Sequence, residues 1–448
     1  MRFKLDIETS KRTIEPGIIE QHRITAQTMK KNYQVAESAL KFLALNICLF
    51  TVTQASAEVQ IVPQTNGISH SFEEIEKDEL QNTAFITAGL NKVKAARQKR
   101  LAATGDASAD QGFAPGRLFH SKGHGCIRST FTVLPLEEQY REGVFSTPAT
   151  YNSYMRLSNG AAGKADGDKD VRGVAIKVLL PDDNYVLTAK QNNGLPESDT
   201  GNFAQDFLLI TGPAVFLDSV QTIKDLLIHM APKNNARSQS RFTKHGFLLN
   251  AKESIHKKIK FMSFFLKRRK SDGLIMMKNA SKSNVKIDNP FDPLYNSGSI
   301  YAFGEDAAAR YSLKRINCPS NQQAEMFQIA ATSRAQKRNP NFLAEQIPGL
   351  IDANSPDICM GLDLQIRFDK QSAEVERPHI AWEDTESVPA AVLRISPPEN
   401  AGLLSLDACN SMSFKPWNSL QAHRPVGGIN RLRKAIYHNM YNDRMGKS

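Results

Sequence analysis

Short apolar runs, each closed off by Gly, Pro, Asn or Asp, constrain this chain more than any other feature. FTVLPL (131–136), VAIKVLL (174–180) and FLLITGPAVFL (207–217) follow one another between residues 117 and 218. Similar runs return at 298–316, 361–368 and 390–397. Runs of this length with such punctuation read as strands rather than helices. Strands that recur without intervening helical periodicity read as an antiparallel sheet. The two ends of this region differ. Residues 71–103 read as a charged amphipathic helix with Ile75, Leu80, Phe85, Leu90 and Val93 on recurring spacings, and 425–445 as a terminal helix behind Pro425 and Gly427-Gly428. The expected class is α+β: helix, large antiparallel β-core, terminal helix. A polar stretch at 184–205 reads as a long surface loop, and 252–286 as a second insertion, helical in its middle.

The chain has 448 residues, 41% of them hydrophobic and 23% charged, which is enough to build a sizeable core. Its net charge of +11 owes much to one run. Residues 252–270 carry Lys252, Lys257, Lys258, Lys260, Lys267, Arg268, Arg269 and Lys270 against a single Glu253. A run of this kind reads as a solvated face, with nucleic-acid or membrane contact the lesser alternative. No aromatic stacking pattern accompanies it, so no nucleic acid is expected.

The first 57 residues read as a leader. Met29-Lys30-Lys31 supplies a positive start, residues 39–53 an apolar stretch, and Ala55-Ser56-Ala57 a cleavage site before Glu58. Met29 is then the expected initiator, and 58–448 a single mature domain. The apolar stretch, interrupted by Lys41 and Asn46, is too short for a stable membrane span. The mature chain would lie in the periplasm or outside the cell. There its four cysteines, Cys126, Cys318, Cys359 and Cys409, are free to pair, although the count alone assigns no partners.

The sequence has no GxGxxG, P-loop, GxSxG, HExxH or CxxC, so nucleotide cradles, serine hydrolysis and structural zinc are not expected. Two other constellations remain. In RLFHSKGHG (117–125), His120 and His124 flank a Gly-rich turn, where glycines allow close backbone approach to a pocket. Near the C-terminus, Arg433 stands four residues before Tyr437 on the expected helix, which puts them on one face. A guanidinium beside a phenol favours the phenolate, a hard anionic ligand for ferric haem iron.

The order of motifs between these points adds a resemblance. RLFHSKGHG, TPATYNSYMRLSNG, DKDVRGVAIKVLL and QDFLLITGPAVFL, covering about 113–220, resemble the distal side of the catalase superfamily in content and order. NRLRKAIYHNMYNDR resembles its proximal helix, and the whole is similar to the shorter, often exported catalase-related haem proteins, without a C-terminal flavodoxin-like domain. The resemblance implies an antiparallel β-barrel binding haem b. His120 would be the distal acid/base, oriented by Ser158. Tyr437 would be the axial iron ligand, held ionised by Arg433, and Arg117, Arg156 and Arg444 would pair with the propionates. His124, read from the residues alone, is the other candidate for the pocket, while Arg156 and Arg172 also read as strand-edge surface arginines and Ser158 as a turn former.

The chain departs from the family pattern at Ile210, where catalases place the distal Asn. Phe119 beside His120 and Ile223 further along also differ from it. Ile cannot donate a hydrogen bond to bound peroxide. The implied activity is therefore peroxidase-like, taking peroxide and an organic electron donor, with weak catalase turnover. The alternatives are a lyase or isomerase of fatty-acid hydroperoxides and a non-enzymatic haem-binding or sensing protein. The oligomeric state is left open.

Overall fold

The computed structural model describes residues 73–104, 117, 119–160, 165–180, 203–230, 259, 262–267, 270–319, 333, 337, 339–352, 354–369, 373–396 and 403–444. The expected leader (1–57) and the polar stretch 184–202 lie outside them. Residues 203–205, expected in that loop, instead open strand β4 (Phe203–Thr211).

The β-core is a closed barrel. Strands β1 (Lys122–Val133), β2 (Thr150–Asn159), β3 (Asp170–Leu180) and β4 follow one another. Two-residue β6 (Tyr295–Asn296), β8 (Ala307–Ile316), β9 (Ile358–Arg367) and β10 (Ser387–Ile395) complete the ring. Every pairing is antiparallel, and because β2 bonds to both β1 and β3 while β10 returns to β1, eight strands close without an edge. Two short strands lie off the ring: β5 (Asn284–Val285) pairs with β3, and β7 (Tyr301–Phe303) with β8.

Alternation decides what each face does. The inward set includes Ile127, Phe131, Leu157, Ile176, Phe207, Leu209, Tyr311, Leu362 and Leu393, which form one apolar cluster. Phe131 stacks on Phe207 at 5.8 Å, and Phe207 meets Tyr311 edge-on at 4.9 Å. The interior is therefore filled with side chains, and polar chemistry is left to the outer face.

Helices cover part of that face. Helix α1 (Glu79–Thr104), α2 (Val220–Met230) and α6 (Gly428–Arg444) share a cluster of Ile86, Leu90, Val220, Leu432, Ile436 and Met440, with Phe119 packed against it. The apolar stripe of α1 is Ile86 and Leu90; Ile75 and Leu80, expected on it, are exposed. The insertion is helical as expected, at 262–267 and in α3 (Lys270–Ser283). Two shorter helices are α4 (Phe342–Leu350) and α5 (Leu406–Ser411). Two disulfides, Cys126–Cys409 and Cys318–Cys359, pair the four cysteines, the first tying β1 to α5.

Candidate functional site

His120 stands just before β1 with φ +48°, a left-handed conformation uncommon for a non-glycine residue. That bend lays its imidazole against β3 at Gly173. A Cβ there would collide with His120 Nδ1, so only glycine leaves the room. Ser158 Oγ lies 3.2 Å from the same Nδ1, and Arg156 Nη2 donates to the His120 carbonyl at 2.8 Å. Ser158 and Arg156 are two residues apart on β2 and therefore share its outer face. The loop, β2 and β3 together fix the ring through Nδ1 and leave Nε2 as its free nitrogen.

His120's pKa is lowered to about 3, first by desolvation and then by the positive charges of Arg156, Arg433 and Arg117. The imidazole is therefore neutral and available as a base above that value. Arg433 belongs to α6, so the field at His120 joins the two constellations from opposite ends of the sequence. Arg117 Nη2 is anchored on the Met412 carbonyl at 2.7 Å.

On α6, Arg433 Nη1 donates to Ser299 Oγ at 2.7 Å and to Asn430 Oδ1 at 3.0 Å. Its guanidinium carbon lies 5.6 Å from the Tyr437 ring centre. Burial opposes the charge on Arg433, but interactions with Tyr301 and Tyr437 outweigh it and raise the pKa above its ordinary value. Arg444 ends α6, and its side chain lies outside the described residues.

The other histidine of the motif belongs elsewhere. His124 Nε2 pairs with Asn159 Oδ1 at 2.8 Å in a buried network with Asp166, Lys122 and Arg172. Desolvation lowers its pKa to about 4. Arg156 and Arg172, which also read as surface residues, are both buried. Sequence reading missed Gly173, Ser299, Tyr301 and Asn430; a lone glycine inside an apolar strand was the one visible sign, for Gly173.

Ile210 sits in the cross-strand row of the site. The register pairs Gly123 with Ser158, Ser158 with Gly173, Gly173 with Ile210 and Ile210 with Asn296. Directly paired residues share a face, so Ile210 stands beside the strand position that carries the His120 ring. That position therefore presents an apolar side chain and no hydrogen-bond donor.

No protein-family model and no curated protein matches the chain. Solved structures do match. Two of these are catalases. A fungal catalase is similar with a TM-score of 0.48 at 15% identity, covering 76% of this chain and 61% of that one. Catalase A from Saccharomyces cerevisiae gives the same score, identity and coverage of this chain, and 63% of its own. This chain thus spans just over three fifths of the catalases it matches.

The residues around His120 and Tyr437 fit a haem. The charges acting on His120 are all guanidinium. Two propionates would place anions in this field of guanidinium groups. The phenol beside Arg433 suits ferric iron as an axial ligand. Among the described residues no group of three His, Cys, Asp or Glu could hold a bare metal ion.

Proposed function

We propose that this protein binds haem b between the outer face of the barrel and α6, and acts on peroxides as a peroxidase with an organic electron donor. The observation that carries this reading is the neutral His120, fixed by Ser158 and lying in the field of Arg433 from the Tyr437 helix. Bound haem would supply the iron that accepts a peroxide oxygen and the electrons for O–O cleavage. His120 takes the proton from the near peroxide oxygen at its free nitrogen and returns it to the departing one, general acid/base work suited to a neutral imidazole. Ser158 and Gly173 hold the ring during the transfer. Tyr437 would hold the iron, Arg433 would keep the phenolate charged, and Arg117, Arg156 and Arg444 would bind the propionates.

Ile210 supports weak catalase turnover, because a missing donor to developing charge costs roughly 10²–10³ in rate. The same residue, with Phe119 in the apolar cluster of Ile86, Leu90, Leu432 and Ile436, favours a second reading. In it the substrate is a fatty-acid hydroperoxide, rearranged without a donor. The leader and the two disulfides support an exported protein in an oxidising compartment.

Haem titration tests the cofactor. Wild type should give a high-spin ferric spectrum with a tyrosinate charge-transfer band, which Tyr437→Phe should abolish; identical spectra would reject the axial assignment. Phenolic-donor oxidation should exceed oxygen evolution from hydrogen peroxide, and fast oxygen evolution would reject the peroxidase reading. Rapid consumption of a lipid hydroperoxide with no donor present would establish the second reading instead.

A further inference from the structure

We infer that Lys177 and Asp206 condense into a side-chain amide, a covalent link between β3 and β4 that the protein forms on itself. The two residues are directly paired in the register of these strands, and Lys177 Nζ lies 2.6 Å from Asp206 Oδ1. Both side chains are 0% exposed. Phe414 closes one side, its ring centre 5.3 Å from Nζ, in a cluster with Tyr154, Leu179 and Met412. A buried ion pair loses the hydration of both charges, which their mutual attraction only partly offsets. Desolvation lowers the pKa of the Lys177 amine and raises that of the Asp206 carboxyl, so each is pushed toward its neutral form. A desolvated neutral amine is a nucleophile, and a carboxylic acid can lose water to it.

The second carboxyl oxygen is held for the same step. Asp206 Oδ2 accepts from the Lys415 amide at 2.9 Å and from Asn418 Nδ2 at 2.8 Å. Two donors on one oxygen stabilise the negative charge that gathers there as Nζ adds to Cγ. One ammonium proton passes to Oδ1, the Nζ–Cγ bond forms, and a second proton from the nitrogen lets Oδ1 leave as water. The third hydrogen stays on the amide nitrogen. No oxidant or cofactor takes part, and the product is neutral, which removes two buried charges. The link lies four residues along β3 from Gly173, which seats His120, and four along β4 from its partner Ile210. It therefore fixes two strands of the site against each other.

A peptide mass map of the reduced, alkylated and trypsin-digested full chain tests this, in haem-loaded and haem-free protein alike. Trypsin does not cleave after an acylated lysine. Residues 173–190 and 191–224 should therefore appear as one branched peptide, lighter than the two together by one water, with the branch at Lys177 and Asp206. Lys177→Met should abolish the branch and release 191–224 as a linear peptide. The inference is overturned if wild type is cleaved after Lys177 and yields linear 191–224 with an unmodified Asp206, which leaves an ion pair only. It is equally overturned if the branch is lighter by one ammonia and joins Lys177 to Asn418. The wild-type map decides between these outcomes even where Lys177→Met fails to fold.

Discussion

Gly173 and His120 form the tightest fit in the site, since any side chain at 173 would occupy the space of the imidazole. Gly173→Ala should displace the ring from Ser158, lower stability by about 1–3 kcal/mol, and slow the reaction with peroxide; urea unfolding and stopped-flow measurements would check both. The buried histidines also set an acid limit. His120, His124 and His423 have folded pKa values of about 3, 4 and 4, lowered chiefly by desolvation. Their unfolded values lie near 6.5. A histidine with a lowered folded pKa gives stability that is complete above its unfolded value and is lost as pH falls toward the folded one. Each of these histidines should therefore take up a proton on unfolding as pH falls below its unfolded value, and the haem-free protein loses about 1.4 kcal/mol of stability per pH unit for each net proton. Glu76 and Glu376, raised by burial, act in the opposite sense. A urea midpoint that stays level from pH 7 to 5 would contradict this. At this scale the sequence was readable where a motif carried it, as for His120, Ser158, Arg433 and Tyr437. Ser299, Tyr301 and Asn430 come from separate segments that meet only in the fold, so no local spacing announces them.

Helix α6 carries Arg433 and Tyr437, and its N-terminus is held by carboxylates. Glu73 Oε1 accepts from the Gly427 amide at 2.8 Å, and Glu376 Oε2 from the Gly428 amide at 2.7 Å. Negative charge there also suits the positive end of the helix dipole. Arg431 binds the same groups, meeting Glu73 at 2.6 Å, Glu79 at 2.7 Å and Glu376 at 3.1 Å. Removing Arg431 would leave three partly or fully buried carboxylates facing one another. Arg431→Ala should cost roughly 3–5 kcal/mol in denaturant unfolding and weaken haem uptake in titration, because the ligand helix loses its anchor. Helices and long strands were legible from periodicity. The apolar contacts of α1 with α2 and α6 run through Phe85, Ile86 and Leu90, so of the residues read as its stripe Phe85 and Leu90 lie on it and Ile75 and Leu80 do not. The closing strand β6 has two residues, too few to show any alternation.

For the whole molecule, closure is reinforced by covalent links. Cys126–Cys409 joins the strand after His120 to the segment ahead of α6, across 283 residues of sequence. Cys409→Ser, or reduction, should lower stability by about 2–5 kcal/mol, read from urea unfolding with and without reductant; equal midpoints would mean the bond is absent in solution. The class of fold was legible from composition and strand rhythm, whereas barrel closure required the pairing of β2 with both β1 and β3. That His120 and Arg433 act on each other from opposite ends of the chain has a consequence for biogenesis. Translation must pass α6 before the two halves of the site can meet. A fragment cut between them could not bring both into one site. On the proposed reading, haem would be held only once α6 has docked on the closed barrel.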